Sequence, residues 1–266
     1  MDRIIQIKLM YMRKLRILLF ALLGVIGLQG MAQSRGAMFL GATMPLKEYA
    51  KFDGFDNFAL FNAGNNAGAA IGFNLGLKWY YNVGVEGLGV MLSLDGFYNG
   101  PNADLKLAYR EQQGQLGNQI LSHSFIYNAT SSFINVPVML GVNYIYRFSP
   151  QFAIFAEAGA GANLRFITGL ESVRDDVVLS IDTRTRTFIK YDNVFSFAYQ
   201  AGLGIEIAKV FMLSFGFYDL GNGIVKGEEE LRVTTLNDNI TNTTWNYKTY
   251  GNVHPIMLVG RIGFSF

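Results

Sequence analysis

The sequence predicts an all-β fold: an up-and-down antiparallel transmembrane β-barrel of eight strands, with long loops at one end and short turns at the other. Three observations predict it. Eight stretches alternate apolar and polar residues at period two, at 36–46, 68–81, 85–98, 132–147, 151–166, 194–207, 210–220 and 255–266. The segments between them run long, short, long, short, long, short, long. Barrels of the bacterial outer membrane show that asymmetry, their periplasmic turns being short and their extracellular loops long. Finally, hydrophobic residues make up 50% of the chain, yet no apolar run reaches the ~18–20 residues of a spanning helix. On a barrel wall only every second residue meets lipid.

Residues 1–32 read as a cleavable export signal. Arg13, Lys14 and Arg16 precede the apolar run Ile17–Leu28, and Gly30 and Ala32 are the small residues before a cut after Ala32. The basic cluster begins only at Arg13, so Met10 or Met12 are alternative starts. Residues 33–266 then form one barrel domain of roughly 230 residues. The chain has no cysteine, which excludes a disulfide framework, thiolate metal sites and anchoring through a lipidated N-terminal cysteine. A net charge of +2 is too small to argue for nucleic acid as a partner.

The stretch at 36–46 opens the series. In the second, Ala69, Ile71, Phe73, Leu75, Leu77 and Trp79 share one face and Gly68, Ala70, Gly72, Asn74, Gly76 and Lys78 the other. The third sets Leu88, Val90, Leu92 and Leu94 against Gly87, Gly89, Met91, Ser93 and Asp95. In the fourth, Ile134 through Tyr146 in steps of two oppose Asn135, Pro137, Met139, Gly141, Asn143 and Arg147. The fifth opposes Phe152, Ile154, Ala156, Ala158, Ala160, Ala162, Leu164 and Phe166 to Glu157, Gly159, Gly161, Asn163 and Arg165. The sixth places Phe195 through Ile207 against Ser196, Gln200, Gly202, Gly204 and Glu206. The seventh, 210–220, follows a three-residue turn. In the last, Ile256, Leu258, Gly260, Ile262, Phe264 and Phe266 alternate with Met257, Val259, Arg261, Gly263 and Ser265. Such stretches exceed the ~9–11 residues that cross a bilayer at a tilt and the ~5–6 of an ordinary strand.

Aromatic residues gather at every short turn: Trp79, Tyr80 and Tyr81; Tyr144, Tyr146, Phe148 and Phe152; and Phe211. They predict a girdle at the periplasmic interface, with Tyr98, Phe217 and Tyr218 as its outer counterpart. Pro137 removes a ladder hydrogen bond from the fourth stretch and predicts a local bulge there. Eight strands close the sheet and place both termini on the periplasmic side, leaving no edge in lipid. Their lumen is just wide enough to be filled by side chains, so an open diffusion pore is not expected. Ten strands would result if the hairpin around Leu231–Tyr250 entered the wall.

The run from Ile134-Asn-Val-Pro-Val to Phe152-Ala-Ile-Phe-Ala-Glu-Ala-Gly-Ala-Gly, together with the terminal Phe266, resembles the outer membrane protein beta-barrel domain family. That family is abundant in Gram-negative bacteria of the Bacteroidetes type and includes PorT-like proteins linked to type IX secretion, alongside small OmpA- and OmpX-type barrels. The matching elements are Val136-Pro137-Val138 and Phe155, Glu157, Gly159 and Gly161. The resemblance implies an outer-membrane location and, as one role within a functionally mixed family, an accessory subunit of an envelope or secretion assembly. The last strand also resembles the signal read by the barrel-assembly machinery, with Phe264 and Phe266 as its aromatic elements.

On the polar face stand Lys78, Asp95, Arg147, Glu157, Arg165, Glu206 and Arg261. Opposite charges pointing into a narrow lumen pair with one another, since an isolated buried charge is costly. Glu157, Glu206, Arg165 and Arg261 are the expected lumen charge network, either a salt-bridged plug or the lining of an ion path or small polar site. No H-E-x-x-H, P-loop, G-x-S-x-G or dinucleotide fingerprint is present, so no catalytic, metal or cofactor site is predicted. The weak enzymatic alternative, a lipid-modifying site, would use His123 with Ser122 or Ser124. Among the long loops, Ile167–Asn193 reads as two strands around a turn at Asp182–Arg186. Gly221–His254 reads as another hairpin, with Glu228–Glu230 as a solvated turn lacking the spaced oxygens of a calcium loop. Protruding hairpins offer edges to a partner or merely shield the wall. The function expected is non-enzymatic, through the loops or as an accessory subunit. A narrow solute channel is the alternative. The expected surroundings are outer-membrane lipid and, during biogenesis, the assembly machinery.

Overall fold

The computed structural model describes residues 34–52, 67–106, 122–125, 132–168, 170–178, 181–235 and 243–266. The expected export segment 1–32 lies outside them. Eight strands close a barrel in the order β1-β13-β10-β9-β6-β5-β3-β2. They are β1 (Ser34–Pro45), β2 (Ala69–Asn82), β3 (Leu88–Pro101), β5 (Phe133–Arg147), β6 (Phe152–Ile167), β9 (Val194–Ile207), β10 (Phe211–Asp219) and β13 (Ile256–Ser265). Every one falls on a predicted stretch. Five further strands, β4 (Ser122–Phe125), β7 (Leu170–Val178), β8 (Ile181–Tyr191), β11 (Gly223–Thr235) and β12 (Thr243–Val253), form a separate sheet in the order β12-β11-β8-β7-β4. The hairpin around Leu231–Tyr250 therefore stays out of the wall, and the wall has eight strands rather than ten.

The short turns use backbone that reverses the chain in few residues. Between β2 and β3, Gly84 and Gly87 take φ of 87° and 76°. Between β9 and β10, Ala208 and Lys209 take φ of 54° and 63°, the doubly left-handed geometry whose twist matches two antiparallel strands. All wall pairings with a recorded register are antiparallel, and β5–β6 runs without a break from Phe133↔Ile167 to Arg147↔Ala153.

Pro137 does not produce the expected bulge. The β3–β5 ladder lapses between Leu94↔Val138 and Phe97↔Asn135, but the register is the same on both sides, so no residue is inserted. The missing N–H costs one stretch of pairing and nothing in alignment. The actual irregularity lies in β2, where the register with β3 shifts between Ala69 and Gly72. The shift turns Ala69 into the interior, where it is buried, although strict alternation assigns it to the lipid face. Asn99 donates to the carbonyl of Ala70 at 2.9 Å across that break.

Outside, the wall presents a continuous apolar belt that includes Leu40, Ile71, Leu75, Leu140, Val142, Leu203, Phe215 and Ile262, each more than half exposed. Water does not tolerate an apolar surface of this extent, whereas hydrocarbon does. Trp79, Tyr81, Tyr144, Tyr146, Phe148 and Phe152 are exposed at the short-turn end as expected. Tyr80 and Tyr218 are not girdle residues: both are buried inside the barrel. Each shares strand parity with inward residues, Tyr80 with Lys78 and Tyr218 with Ser214.

Two loop readings change as well. Asp182–Arg186 lies within β8, the reversal falling between Val178 and Ile181. Glu228–Glu230 lies within β11, where Glu228 is registered with Lys190 on one side and Lys248 on the other. Cross-strand partners of opposite sign let acidic residues continue a strand instead of forcing a turn.

Candidate functional site

The lumen is filled in layers. Nearest the short turns, Ala37, Phe39, Tyr80, Met91, Phe155 and Met212 pack together. Two residues further along each strand, the inward positions become Gly41, Lys78, Ser93, Glu157, Ser214 and Arg261, which is the period-two rule applied to one ring of the barrel. Beyond the charges, Tyr49, Phe97, Phe133, Met139, Tyr218, Val253, Met257 and Val259 form a second apolar layer on the outer side. Tyr49 comes from α1 (Lys47–Ala50), the single helical turn after β1. Burial pushes its hydroxyl well above the ordinary tyrosine value, against the opposing pull of Arg165.

The charge layer joins four side chains. Arg261 is bonded to Glu157 at 3.1 Å and to Asp95 at 3.2 Å, and Lys78 is paired with the same Glu157 oxygen. All four are at most 5% exposed. Arg261 also donates to the Tyr218 hydroxyl at 2.6 Å and to Ser214 at 3.3 Å, while Tyr80 donates to Glu157 at 3.3 Å. The Phe39 ring lies 5.1 Å from the Arg261 guanidinium and 5.5 Å from the Lys78 ammonium, within cation–π range. Two cations and two carboxylates balance, which makes so dry a placement tolerable. Gly41 is part of the construction: a Cβ there would strike Arg261 and the carbonyl of Gly260.

Of the four residues expected to form one network, the structure brings together Glu157 and Arg261. Glu206 sits near the short turns and pairs with Arg147 at 2.5 Å, the arginine being 38% exposed. Arg165 lies eight residues beyond Glu157 on β6, roughly 26 Å along the strand at ~3.3 Å per residue. It donates to Asn135 at 3.0 Å, to the Val253 carbonyl at 2.6 Å and to the Gly221 carbonyl at 2.9 Å. It thus ties down the junctions where β10 passes into β11 and β12 into β13. Strand parity selects the face but not the height, and height separates these residues into three groups.

At the same outer junction is a cluster that sequence reasoning missed. His254 and Asp219 are hydrogen-bonded at 2.7 Å, and Asp219 also accepts from the Tyr199 hydroxyl at 2.6 Å and the Gly221 amide at 2.9 Å. His254 is 26% exposed at its side chain. In sequence, His254 stands just before the stretch at 255–266 and Asp219 near the end of that at 210–220, and nothing there pairs them. The other histidine, His123, is registered opposite Asp175 in the β4–β7 pair. Among the described residues, no group of three or more His, Asp or Glu side chains could hold a metal ion. Several buried acceptors in the lumen, including Asn74 Oδ1, Asp95 Oδ2 and Gln200 Oε1, receive no bond from the protein.

The outer sheet continues part of the wall. Chain connections carry β12 into β13, β10 into β11, β8 into β9, β6 into β7 and β4 toward β5. Its order therefore repeats that of the neighbours β13-β10-β9-β6-β5. The sheet stands over five of the eight wall strands and leaves β1, β2 and β3 without a counterpart among the described residues.

No protein-family model matches the chain, and no curated protein gives a significant match. Among solved structures, the chain is similar to the attachment invasion locus protein Ail of Yersinia pestis (14% identity, 88% of this chain and 99% of that one, TM-score 0.37). It is also similar to Neisserial surface protein A (10%, 88% and 96%, TM-score 0.36) and to OprG from Pseudomonas aeruginosa (12%, 88% and 94%, TM-score 0.36). At these values the likenesses carry no functional argument. The eight-stranded closed barrel rests on its own strand order.

Proposed function

We propose that this chain is exported by its N-terminal segment and forms an integral barrel of the bacterial outer membrane. There it works without catalysis, presenting its outer sheet as an accessory subunit of an envelope or secretion assembly. The observation that carries this reading is the pairing of a lipid-facing belt and a plugged lumen with a large β-sheet that rises from one end. A barrel filled by its own side chains has little to transport, and scaffold loops are where binding resides. The PorT-like role follows from resemblance alone.

The second reading is a narrow channel, favoured by the unpartnered acceptors along the lumen. Such oxygens suit a file of water or a small polar solute. Membrane fractionation with a heat-modifiability gel tests the location: recovery in the outer membrane with a band that shifts on boiling is expected, and a soluble, unshifted protein overturns the reading. Co-purification from intact envelopes, using the full chain and a chain lacking residues 224–251, then separates the roles. Envelope proteins lost with the deletion support the subunit role. Steady single-channel conductance without any such partner supports the channel instead.

A further inference from the structure

The outward face of the wall carries a groove of about 630 Å³ across β5, β6, β9 and β10. Its origin lies in the register. Tyr144, Ala156, Leu203 and Phe215 are cross-strand neighbours in one outward row. Ala156 is the short member between bulky ones, so the row has a gap. Beneath it the wall is thin at Gly204, where a Cβ would meet the Phe155 ring. Arg261 and Ser214 reach the floor from inside, but every guanidinium nitrogen of Arg261 is already bonded within the lumen.

We propose that this groove holds one acyl chain of a glycerophospholipid from the leaflet on the short-turn side. The inference rests on the membrane reading above. The lining is apolar on the side facing hydrocarbon, and the Arg261 guanidinium at its floor is engaged inside the lumen, so the occupant is a chain. The groove reaches Tyr146 and Ile154, and Tyr146, Phe148 and Phe152 are exposed at the short-turn end. A lipid whose head sits at that interface can send its chain inward along the wall, whereas one from the opposite leaflet would need its head at mid-membrane. The depression fixes a chain that elsewhere on the convex wall would exchange freely.

The test is native mass spectrometry of the barrel after reconstitution in palmitoyl-oleoyl-phosphatidylethanolamine and transfer to micelles. Wild type should retain one phospholipid. Ala156→Phe, which fills the gap from the lipid side, should lower that occupancy about fivefold or more, and the milder Ala156→Leu should lower it partly. Ala42→Phe, an outward position on β1, should leave it unchanged. Each protein is first checked by its heat-modifiable band. Folded wild type without retained lipid, or equal retention in Ala156→Phe, overturns the groove as a lipid site and leaves the barrel standing. A wild type that neither inserts nor shifts on boiling overturns the membrane reading itself.

Discussion

Glu157 is the residue on which the lumen turns, because it bonds to Lys78, Arg261 and Tyr80 together. Glu157→Gln leaves two buried cations facing Asp95, and a broken buried pair of this kind costs about 3–5 kcal/mol. The expected result is a lower urea midpoint for unfolding from micelles. Lys78→Met combined with Glu157→Leu should lose less than Glu157→Gln, since both charges leave together and apolar packing replaces them. Equal midpoints for wild type and Glu157→Gln would show that the quartet contributes nothing to the fold. Arg165 acts differently. Its bonds run to backbone carbonyls at the outer junction, so its substitution should loosen β11 and β12 rather than the charge layer.

At the scale of the element, the pairing of the wall strands does not run through the outer sheet. β10 and β13 pair from Phe211↔Phe264 to Asp219↔Ile256 without using β11 or β12. Removing residues 224–251 and joining the ends through a short Asn-Gly turn keeps Leu220, Gly221 and Val253, the carbonyls that Arg165 and Ser196 use. The shortened chain is expected to retain the heat-modifiable band and to unfold within about 1–2 kcal/mol of the full chain, because loop closure depends only weakly on length. A chain that no longer shifts on boiling would mean that the outer sheet is needed for closure. The elements also show where periodicity misleads. The one-residue register shift in β2 inverts the parity of Ala69; Gly72, where a Cβ would strike the Tyr98 carbonyl, marks the place, but glycines recur along this strand and do not single it out.

For the molecule as a whole, closure and assembly are the relevant events. Phe266 is 77% exposed and donates its amide to the Gly36 carbonyl at 2.8 Å where β1 and β13 seal the barrel. Phe264 lies edge-on to Phe211 with ring centroids 5.0 Å apart. Deleting Phe266 should leave purified, refolded barrel nearly as stable as before while reducing the membrane-inserted yield in cells severalfold, as expected if the assembly machinery reads the terminal aromatic. Unchanged insertion would sink that role. The eight-strand wall, its lipid face and its single short-turn end were readable from sequence because alternation at period two is a local property, set by each strand against two phases. The residues of the lumen were readable as a face, and Lys78, Asp95, Glu157 and Arg261 all lie on it. What only the tertiary structure decided was height and closure. Stagger between tilted strands sets which inward residues share a ring, so it alone unites Glu157 with Arg261 and removes Arg165 and Glu206 from them. The same stagger sets Ala156 between Tyr144 and Leu203, and it brings His254 to Asp219 across 35 residues of chain.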